Sequence, residues 1–383
     1  MNVSGHRFTC RLLLPCAVAV VGAGSVAGTA QATRGAQPRQ SVVMNGLDNP
    51  RGLSFAWAGE AGRRHDERGW SLYVAEAGTG GTLRCTTLRG TVCVGLTGAI
   101  SRLRQGHQDR VVTGLPSYAP FNAANAGAVG PSDVSFSQGR GSVTIGLAAG
   151  PDLRTALGER FGWIAGFDRH GNVGYEVDVS AYEKQANPDL GPTESNPNGL
   201  LSDGGTRIVA DAASNSLLEV SPSGSISTLA VFPSRFYPQT GSRPTDSVPD
   251  AVAAGRDGAY YVGELTGAPF TPGVANVWRV VPGQAPAVYC SGFSFIIDLT
   301  FDRSGNLYVL ENASGPNGPF LGTPGQLLRV GRDCTRTPVA TGLPAPTSVA
   351  IGPDKDAYIT VNGTSAAIGQ VVRVDLGGRH RGG

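Results

Sequence analysis

A motif of three short apolar runs recurs along this sequence and limits the folds that it can adopt. The clearest copy is NLYVLE at residues 306–311, LLRV at 327–330 and PVATGL at 338–343. Its tyrosine, Tyr308, has a counterpart 47 residues earlier at Tyr261 (308 − 261) and another 50 residues later at Tyr358 (358 − 308). Runs of this length suit β-strands, and β-rich repeats of this period are typical of propeller blades.

Aligning the repeats predicts six units of four strands each. A first strand follows a proline or its equivalent, a tight polar turn leads to the second, and the third has the pattern apolar-apolar-Arg-Val. The first strands are predicted to begin near Pro50, Pro131, Pro197, Pro249, Ile296 and Pro346. We therefore predict an all-β fold, a six-bladed β-propeller with four-stranded antiparallel blades.

The last unit ends before a fourth strand can form, and the missing strand lies at the other end of the chain. SVVMNGL at residues 41–47 resembles the predicted fourth strands RVVTGL at 110–115 and PVATGL at 338–343. Because unpaired sheet edges are a liability, we predict that this N-terminal strand closes the last blade. An open sandwich, the alternative, would not need its first strand to resemble the fourth strands.

The N-terminal segment has the form of a cleavable signal peptide. Arg7 and Arg11 precede an apolar run at residues 12–27, and the small-residue motif AQA follows at 30–32. A membrane anchor is the alternative, but the run is short and rich in Gly and Ala. We predict a signal peptide at 1–32, a linker at 33–40, the propeller at 41–376 and a flexible tail at 377–383. The mature protein would then be secreted, extracellular and without a membrane span.

The net charge limits the classes of partner that we expect, and the cysteines indicate the cellular compartment. The formal net charge is +2 with no run of Lys or Arg, so we expect no nucleic-acid partner but a monomer that binds an unknown extracellular ligand or protein. Four cysteines remain after the predicted cleavage, which suits disulfides in an oxidising compartment. A Cys85–Cys93 bond would close a small loop and a Cys290–Cys334 bond would join neighbouring repeats, although four cysteines allow three pairings.

The long loops concentrate on one face of the predicted disc. The connections from second to third strand, and from fourth strand to the next first strand, leave an antiparallel blade on the same side; we call this side the loop-rich face. Binding residues usually lie on such loops. Loop packing is the alternative role of the aromatic residues among the predicted ligand contacts, which are Arg51, Tyr118, Phe121, Phe236 and Tyr237.

Acidic and amide side chains recur at the strand ends near this face. Several such oxygen ligands suit Ca²⁺, the only cofactor that the pattern suggests. The predicted metal ligands are Glu76, Asn198, Asp250, Glu264, Asp298 and Glu311. The alternative is structural, because an acid repeated at the end of each second strand can accept backbone N–H bonds from its own loop.

Histidine is scarce where catalysis would need it. His65, His107 and His170 fall in predicted turns on the opposite face, and His380 lies in the tail. A Ser-His-Asp triad or a His-assisted lactonase site needs a histidine beside the substrate. We therefore predict no catalytic residues, and the sequence favours a protein that is not an enzyme.

Six segments of the mature chain resemble the ScyD/ScyE family, exported proteins associated with scytonemin biosynthesis. They are VMNGLDNPRGL (43–53), LYVAEAG (72–78), CVGLTG (93–98), GPSDVSF (130–136), SNPNGLL (195–201) and YVGELTG (261–267). The blades also look like NHL repeats, and the resemblance carries no known catalytic assignment. We predict a binding or scaffold module that acts through its loop-rich face. The alternative is a calcium-dependent hydrolase or lactonase similar to the gluconolactonase and strictosidine-synthase-like propellers.

Overall fold

The repeats fold as six antiparallel sheets, each with the strands of one blade side by side. The computed structural model describes residues 39–57, 69–88, 90–121, 127–158, 160–237, 244–315, 318–319 and 322–377. The predicted signal peptide lies outside these residues, as do most of the predicted linker and tail. Within the described part, no helix is long and apolar enough to cross a membrane.

The first three blades follow one another along the chain. Blade 1 is the most elaborate, because its third and fourth strands are long and carry an extra edge strand. It contains β2 (Pro50–Trp57), β3 (Trp70–Glu76), β4 (Arg84–Thr87), β5 (Thr91–Arg104) and β6 (His107–Pro120). Blade 2 contains β7 (Pro131–Ser137), β8 (Arg140–Ile145), β9 (Trp163–Phe167) and β10 (Val173–Asp178). Blade 3 contains β11 (Pro197–Asp203), β12 (Thr206–Asp211), β13 (Ser216–Val220) and β14 (Ile226–Val231).

The last three blades are more regular and include the two ends of the chain. Blade 4 contains β15 (Pro249–Ala254), β16 (Tyr260–Glu264), β17 (Ala275–Val280) and β18 (Ala287–Phe293). Blade 5 contains β19 (Ile296–Phe301), β20 (Leu307–Glu311), β21 (Gly325–Val330) and β22 (Arg336–Leu343). Blade 6 contains β23 (Ser348–Ile351), β24 (Ala357–Val361), β25 (Gly369–Val374) and, from the N-terminal end, β1 (Gln40–Leu47).

The six sheets form a closed ring around the first strands. Each first strand contacts the first strand of the next blade, from β2 through β7, β11, β15, β19 and β23 and back to β2. Buried apolar side chains fill the spaces between neighbouring sheets, as where Leu310 and Leu327 of blade 5 pack with Ile359 and Val372 of blade 6. The predicted six-bladed β-propeller is confirmed, and five of the six first strands begin at the predicted residue.

Short helices occur only in loops among the described residues. The α-helices are α1 (Arg154–Leu157), which follows a 3₁₀ helix (Pro151–Leu153) between β8 and β9, and α2 (Val179–Ala186), which leads from blade 2 to blade 3. Asp178 caps α2, because its side chain accepts a hydrogen bond from the backbone N–H of Ala181 at 2.9 Å. Both helices lie in connections of the loop-rich face, so they add local walls to it and leave the sheets unchanged.

Closure of the ring depends on β1, which pairs antiparallel with β25. Gln40 lies opposite Val374 and Ser41 opposite Arg373, and the backbone N–H of Asp375 donates to the carbonyl of Arg39 at 3.1 Å. Met44 and Leu47 are buried against Val371 of β25 and against Leu53 of β2. The predicted closing strand is confirmed: one strand fills the sheet of the last blade and the space beside the first.

We expect Leu47→Ala to destabilise the protein much more than Val42→Ala. Leu47 is completely buried in the closing strand, whereas Val42 of the same strand is 50% exposed. A cavity at a buried leucine costs about 2–5 kcal/mol, while an exposed valine should change the free energy of unfolding by less than about 0.5 kcal/mol. Denaturant unfolding of both variants measures the difference. Equal values would contradict a ring held closed by this strand.

Both disulfides anticipated from the sequence are present. Cys85 bonds to Cys93 across the pair of β4 and β5, and Cys290 of β18 bonds to Cys334, which precedes β22. The first closes a loop of 8 residues within blade 1. The second spans 44 residues and joins blades 4 and 5.

Replacing both cysteines of the longer loop by serine should cost more stability than the same change in the shorter one. The loop-entropy relation gives about 4 kcal/mol for Cys290→Ser with Cys334→Ser, against about 2.5 kcal/mol for Cys85→Ser with Cys93→Ser. Thermal unfolding under non-reducing conditions compares the two pairs. The reverse order would show that strain or local packing, rather than loop length, sets the contribution of each disulfide.

Candidate functional site

A cavity opens on the loop-rich face where the six first strands converge on the propeller axis. Its volume is about 230 Å³. Every blade contributes to it through the beginning of its first strand, and the loops around Val129, Val248 and Leu265 add apolar walls. The strand residues that line it are Arg51, Gly52, Ser132, Asp133, Asn198, Gly199, Asp250, Ala251, Ile297, Asp298, Thr347 and Ser348. We call this space the axial cavity.

A β-bulge at the same place in five blades directs side chains into the axial cavity. Pro249 pairs with Glu264 and Ala251 with Gly263, so Asp250 is the extra residue between them. The same register shift occurs at the beginning of β2, β7, β11 and β19. Because a bulge turns one side chain away from the regular alternation, it is a common device beside functional sites. The bulged positions of blades 2, 3, 4 and 5 are Ser132, Asn198, Asp250 and Ile297.

Two of the three aspartates in the cavity connect neighbouring blades. Asp133 of blade 2 accepts hydrogen bonds from the backbone N–H of Val134 at 2.8 Å and of Leu200 in blade 3 at 2.7 Å. Gly52 lies against it, since a Cβ atom there would be 2.0 Å from Asp133 Oδ1. Both carboxylate oxygens of Asp133 therefore have donors, and Oδ2 connects blade 2 to blade 3.

Asp298 of blade 5 has the same role on the other side of the axis. Its Oδ1 accepts from the backbone N–H of Leu299 at 2.7 Å. Its Oδ2 accepts from the backbone N–H of Val349 at 2.7 Å and from Ser348 Oγ at 2.5 Å, and both donors belong to blade 6. Thr347 continues the ring by donating to the carbonyl of Pro50 in blade 1 at 2.8 Å.

Asp250 and Arg51 differ from these connecting residues. Asp250 Oδ1 accepts from Asn198 Nδ2 at 2.7 Å, while Oδ2 has no hydrogen-bond donor among the described residues. Arg51 donates through Nη2 to the carbonyl of Ala128 at 2.9 Å, and its other N–H groups have no acceptor within that part of the chain. Asp250 is nevertheless only 6% exposed. Arg51 is half-buried, and each of the two residues presents unused hydrogen-bonding atoms to the cavity.

Burial dominates the electrostatics of the cavity. It raises the pKa of Asp250 to about 7; the charge of Asp298 raises this pKa further, while Arg51 and the hydrogen bond from Asn198 lower it. Burial also raises the pKa of Asp298 to about 6, against the opposing hydrogen bonds from Ser348, Val349 and Leu299. The guanidinium of Arg51 has its pKa lowered by burial and raised by Asp250. The cavity thus holds charge that water does not fully solvate.

The acids at the ends of the second strands lie outside the axial cavity. Glu76 accepts from Ser101 Oγ at 2.5 Å, from the backbone N–H of Asp48 at 2.6 Å and from the guanidinium of Arg110 at 2.7 Å. Glu264 accepts from Ser247 Oγ at 2.5 Å, from Trp278 Nε1 at 2.8 Å and also from Arg235. These side chains anchor loops to their own blade.

Glu311 has a similar arrangement in blade 5. It accepts from the backbone N–H of Ser294 at 2.7 Å and from Gln326 Nε2 at 2.7 Å. Of the six predicted metal ligands, the structure therefore brings Asn198, Asp250 and Asp298 to one cavity and leaves the three glutamates in separate blades. Only Asp250 among the cavity carboxylates has an oxygen without a donor in the described structure, so the donor set fits Ca²⁺ poorly. The calcium site stays a prediction.

The predicted aromatic ligand contacts surround the cavity at a greater distance. Tyr118 is buried, packs edge-on against Phe161 and donates through its hydroxyl to the carbonyl of Leu147 at 2.6 Å. Tyr237 donates to the carbonyl of Val274 at 3.1 Å. Phe121 and Phe236 are 58% and 68% exposed. Arg51 alone of the predicted ligand contacts lines the axial cavity.

Sequence reasoning missed Glu183, a buried acid of α2 on the loop-rich face. Neither carboxylate oxygen has a partner among the described residues, and burial together with the charges of Asp211 and Asp189 raises its pKa to about 8. Glu183 lies in a short helix outside the repeated strands, so the alignment of the repeats could not single it out. Glu183 does not line the axial cavity.

Comparisons with known proteins support the fold. No protein-family model and no curated protein match the chain. A protein of unknown function from Bacteroides thetaiotaomicron is similar over 88% of this chain and 72% of its own, with 7% identity and a TM-score of 0.52. A glucose dehydrogenase is similar over 88% and 99%, with 14% identity and a TM-score of 0.50. A luciferin-regenerating enzyme is similar over 89% of this chain and 96% of its own, with 13% identity and a TM-score of 0.49. The first two likenesses, at these identities, extend to the fold alone, and the resemblance to ScyD/ScyE stays a prediction.

The pH dependence of stability should show that burial of the Asp250 carboxyl is not offset by its hydrogen bond and its nearby positive charge. Its folded-state pKa of about 7 lies above the unfolded value of about 4, so the folded protein binds the proton more tightly and stability falls as pH rises through this window. Between pH 5 and pH 8 Asp250 should contribute on the order of 2 kcal/mol to this loss, and Asp250→Asn should remove that contribution while leaving the part due to Asp298 and Glu183.

Asp257→Asn is the matched control for this measurement. Asp257 pairs with Arg279 in a turn on the opposite face, and the hydrogen bonds from Arg279, Ala259 and Tyr261 outweigh burial, so that the pKa of its carboxyl is lowered. Asp257 stays ionised between pH 5 and pH 8, so the stability of Asp257→Asn should change with pH as that of the wild type does. A wild-type stability that is flat between pH 5 and pH 8 would contradict the assignment.

Proposed function

We propose that the protein is an exported binding module that holds a small polar ligand in the axial cavity of its loop-rich face. The observation that carries the proposal is the pair of oppositely charged groups, half-buried Arg51 and buried Asp250, whose unused hydrogen-bonding atoms face the same cavity. Neither side chain has an atom that is both fully buried and without a partner, so water can reach the unused atoms. A ligand of matching charge would replace that water and form its hydrogen bonds in surroundings of lower dielectric, where they are stronger.

The surroundings of the cavity support a binding role. Hydrogen bonds between blades hold its wall, so the site is preorganised rather than formed on binding. Its polar groups converge between apolar walls at Val129, Val248 and Leu265, the usual composition of a small-molecule site. The two disulfides support export, since such bonds persist in oxidising compartments. We also propose that the protein belongs to the ScyD/ScyE family, whose members are exported proteins.

A hydrolase or lactonase is the second candidate. The observation that favours it is the pKa of Asp250, because a carboxyl that titrates near 7 suits general-base catalysis. Of the described histidines, His107 begins the fourth strand of blade 1 and His170 lies in the turn between the third and fourth strands of blade 2, both on the opposite face. Turnover of small lactones that stops on adding a calcium chelator would favour this candidate over the binding module.

Thermal-shift measurements with a library of small polar molecules test the binding role. A ligand present at 100 times its Kd stabilises the folded state by about 2.7 kcal/mol, which raises the melting temperature by several degrees. We expect some compounds to stabilise the wild type but not the double variant Arg51→Gln/Asp250→Asn.

The double variant Asp257→Asn/Arg279→Gln repeats the same two chemical changes on the opposite face. It should respond to the library as the wild type does, because neither residue lines the axial cavity. If no compound distinguishes the wild type from the cavity double variant, the axial cavity is not the binding site and the proposal is wrong.

A further inference from the structure

The free hydrogen-bonding atoms of the axial cavity carry opposite charges. Arg51 offers guanidinium N–H donors, and Asp250 offers a carboxylate oxygen. The two are close enough for each charge to shift the pKa of the other, yet no salt bridge within 4.0 Å joins them among the described residues. A direct pair would satisfy both groups; their separation leaves each to be satisfied by something else in the cavity.

The other charged groups of the cavity do not compete for the ligand. Asp133 and Asp298 already accept hydrogen bonds on both oxygens, from Val134 and Leu200 and from Leu299, Val349 and Ser348. Neither offers an oxygen that lacks a donor, and burial raises the pKa of both carboxyls. One cationic and one anionic contact point therefore remain, and their charges require the opposite charges on a ligand.

The size of the cavity limits the ligand further. Its volume of about 230 Å³ is below the range of roughly 300–1,000 Å³ that holds drug-sized molecules. A ligand enclosed by the cavity is therefore smaller than a drug-sized molecule. At the wall, Ser132 Oγ, which donates to the carbonyl of Gly130, and Asn198 Oδ1 could accept hydrogen bonds from a compact ligand.

We propose that the axial cavity binds a small zwitterion of the amino-acid type, with its carboxylate on the Arg51 guanidinium and its ammonium group on the Asp250 carboxylate. This rests on the binding role proposed above and narrows it to one ligand class. A guanidinium pairs well with a carboxylate because its planar N–H groups match the two oxygens. An ammonium group supplies the donor that Asp250 Oδ2 lacks.

Binding of the ammonium group should strengthen as Asp250 ionises. The charged groups around Asp250 are Arg51, Asp298 and Asp133, and Asn198 donates a hydrogen bond to its carboxylate. Affinity for a zwitterion should therefore rise as the pH increases from 5 to 8, while the amine of the ligand stays protonated.

Isothermal titration calorimetry of the full chain with a length series tests the proposal. The probes are glycine, β-alanine, γ-aminobutyrate and δ-aminovalerate, compared with butyrate and butylamine, which carry one of the two charges. We expect at least one amino acid to bind about tenfold more tightly than either single-charge compound, the factor that corresponds to 1.4 kcal/mol. Asp250→Asn should reduce its affinity to that of butyrate, and Arg51→Gln to that of butylamine.

The control variants are again Asp257→Asn and Arg279→Gln, which should leave every affinity unchanged. A thermal melt of each variant establishes that it folds. If Arg51→Gln does not fold, the affinities of Asp250→Asn alone test the proposal. Butylamine binding as tightly as the best amino acid would overturn the zwitterion and leave the binding role intact. No binding of any amino acid would also overturn it, and the library screen would then judge the binding role separately.

Discussion

The pairing of β1 with β25 is the constraint on which the rest of the structure depends. A propeller is a ring of sheets, and its first strands enclose an axis only if the last blade contacts the first. Here the blade that joins the two ends borrows its fourth strand from the N-terminal end of the chain. Met44 and Leu47 of that strand are buried, so the same residues complete a sheet and fill a core. Without this pair, two blades would expose open faces.

Closure brings six first strands together around the axis and creates a demand for hydrogen bonds between them. Neighbouring first strands do not pair as a sheet, so their polar atoms must find other partners. Asp133, Asp298 and Thr347 provide these by contacting the backbone of the next blade. Such contacts let carboxylates persist in a buried place, because N–H donors replace part of the lost hydration.

The axial cavity combines this rigid wall with two groups that the fold does not satisfy. Folding alone would favour an apolar residue or a direct ion pair at Arg51 and Asp250. Local features that oppose stability often mark function, because a binding site needs unsatisfied groups held in fixed places. The β-bulge contributes to this, since it turns Asp250 out of the regular strand pattern toward the axis. The connecting aspartates thus stabilise the ring, while Arg51 and Asp250 are the groups on which the proposed ligand would bind.

Much of this architecture follows from local sequence patterns. The repeat period, the turn residues and the β1 segment with its fourth-strand pattern predicted the blade number, the strand positions and the closure. The same alignment located Arg51, Asn198 and Asp250 at equivalent places, because the repeats share one register. Strand periodicity is a short-range property, and it can be read without knowing what lies across the ring.

Which polar groups are satisfied was decided only by the tertiary structure. Glu76, Glu264 and Glu311 looked like the cavity acids in sequence, yet each is held by hydrogen bonds within its own blade or its loops. Asp298 and Asp250 occupy neighbouring positions of equivalent strands but differ in the number of donors that reach them. The sequence by itself determined the ring and the residues at its centre. The tertiary structure alone decided which of them are free to bind, because hydrogen-bond partners come from strands distant in the chain.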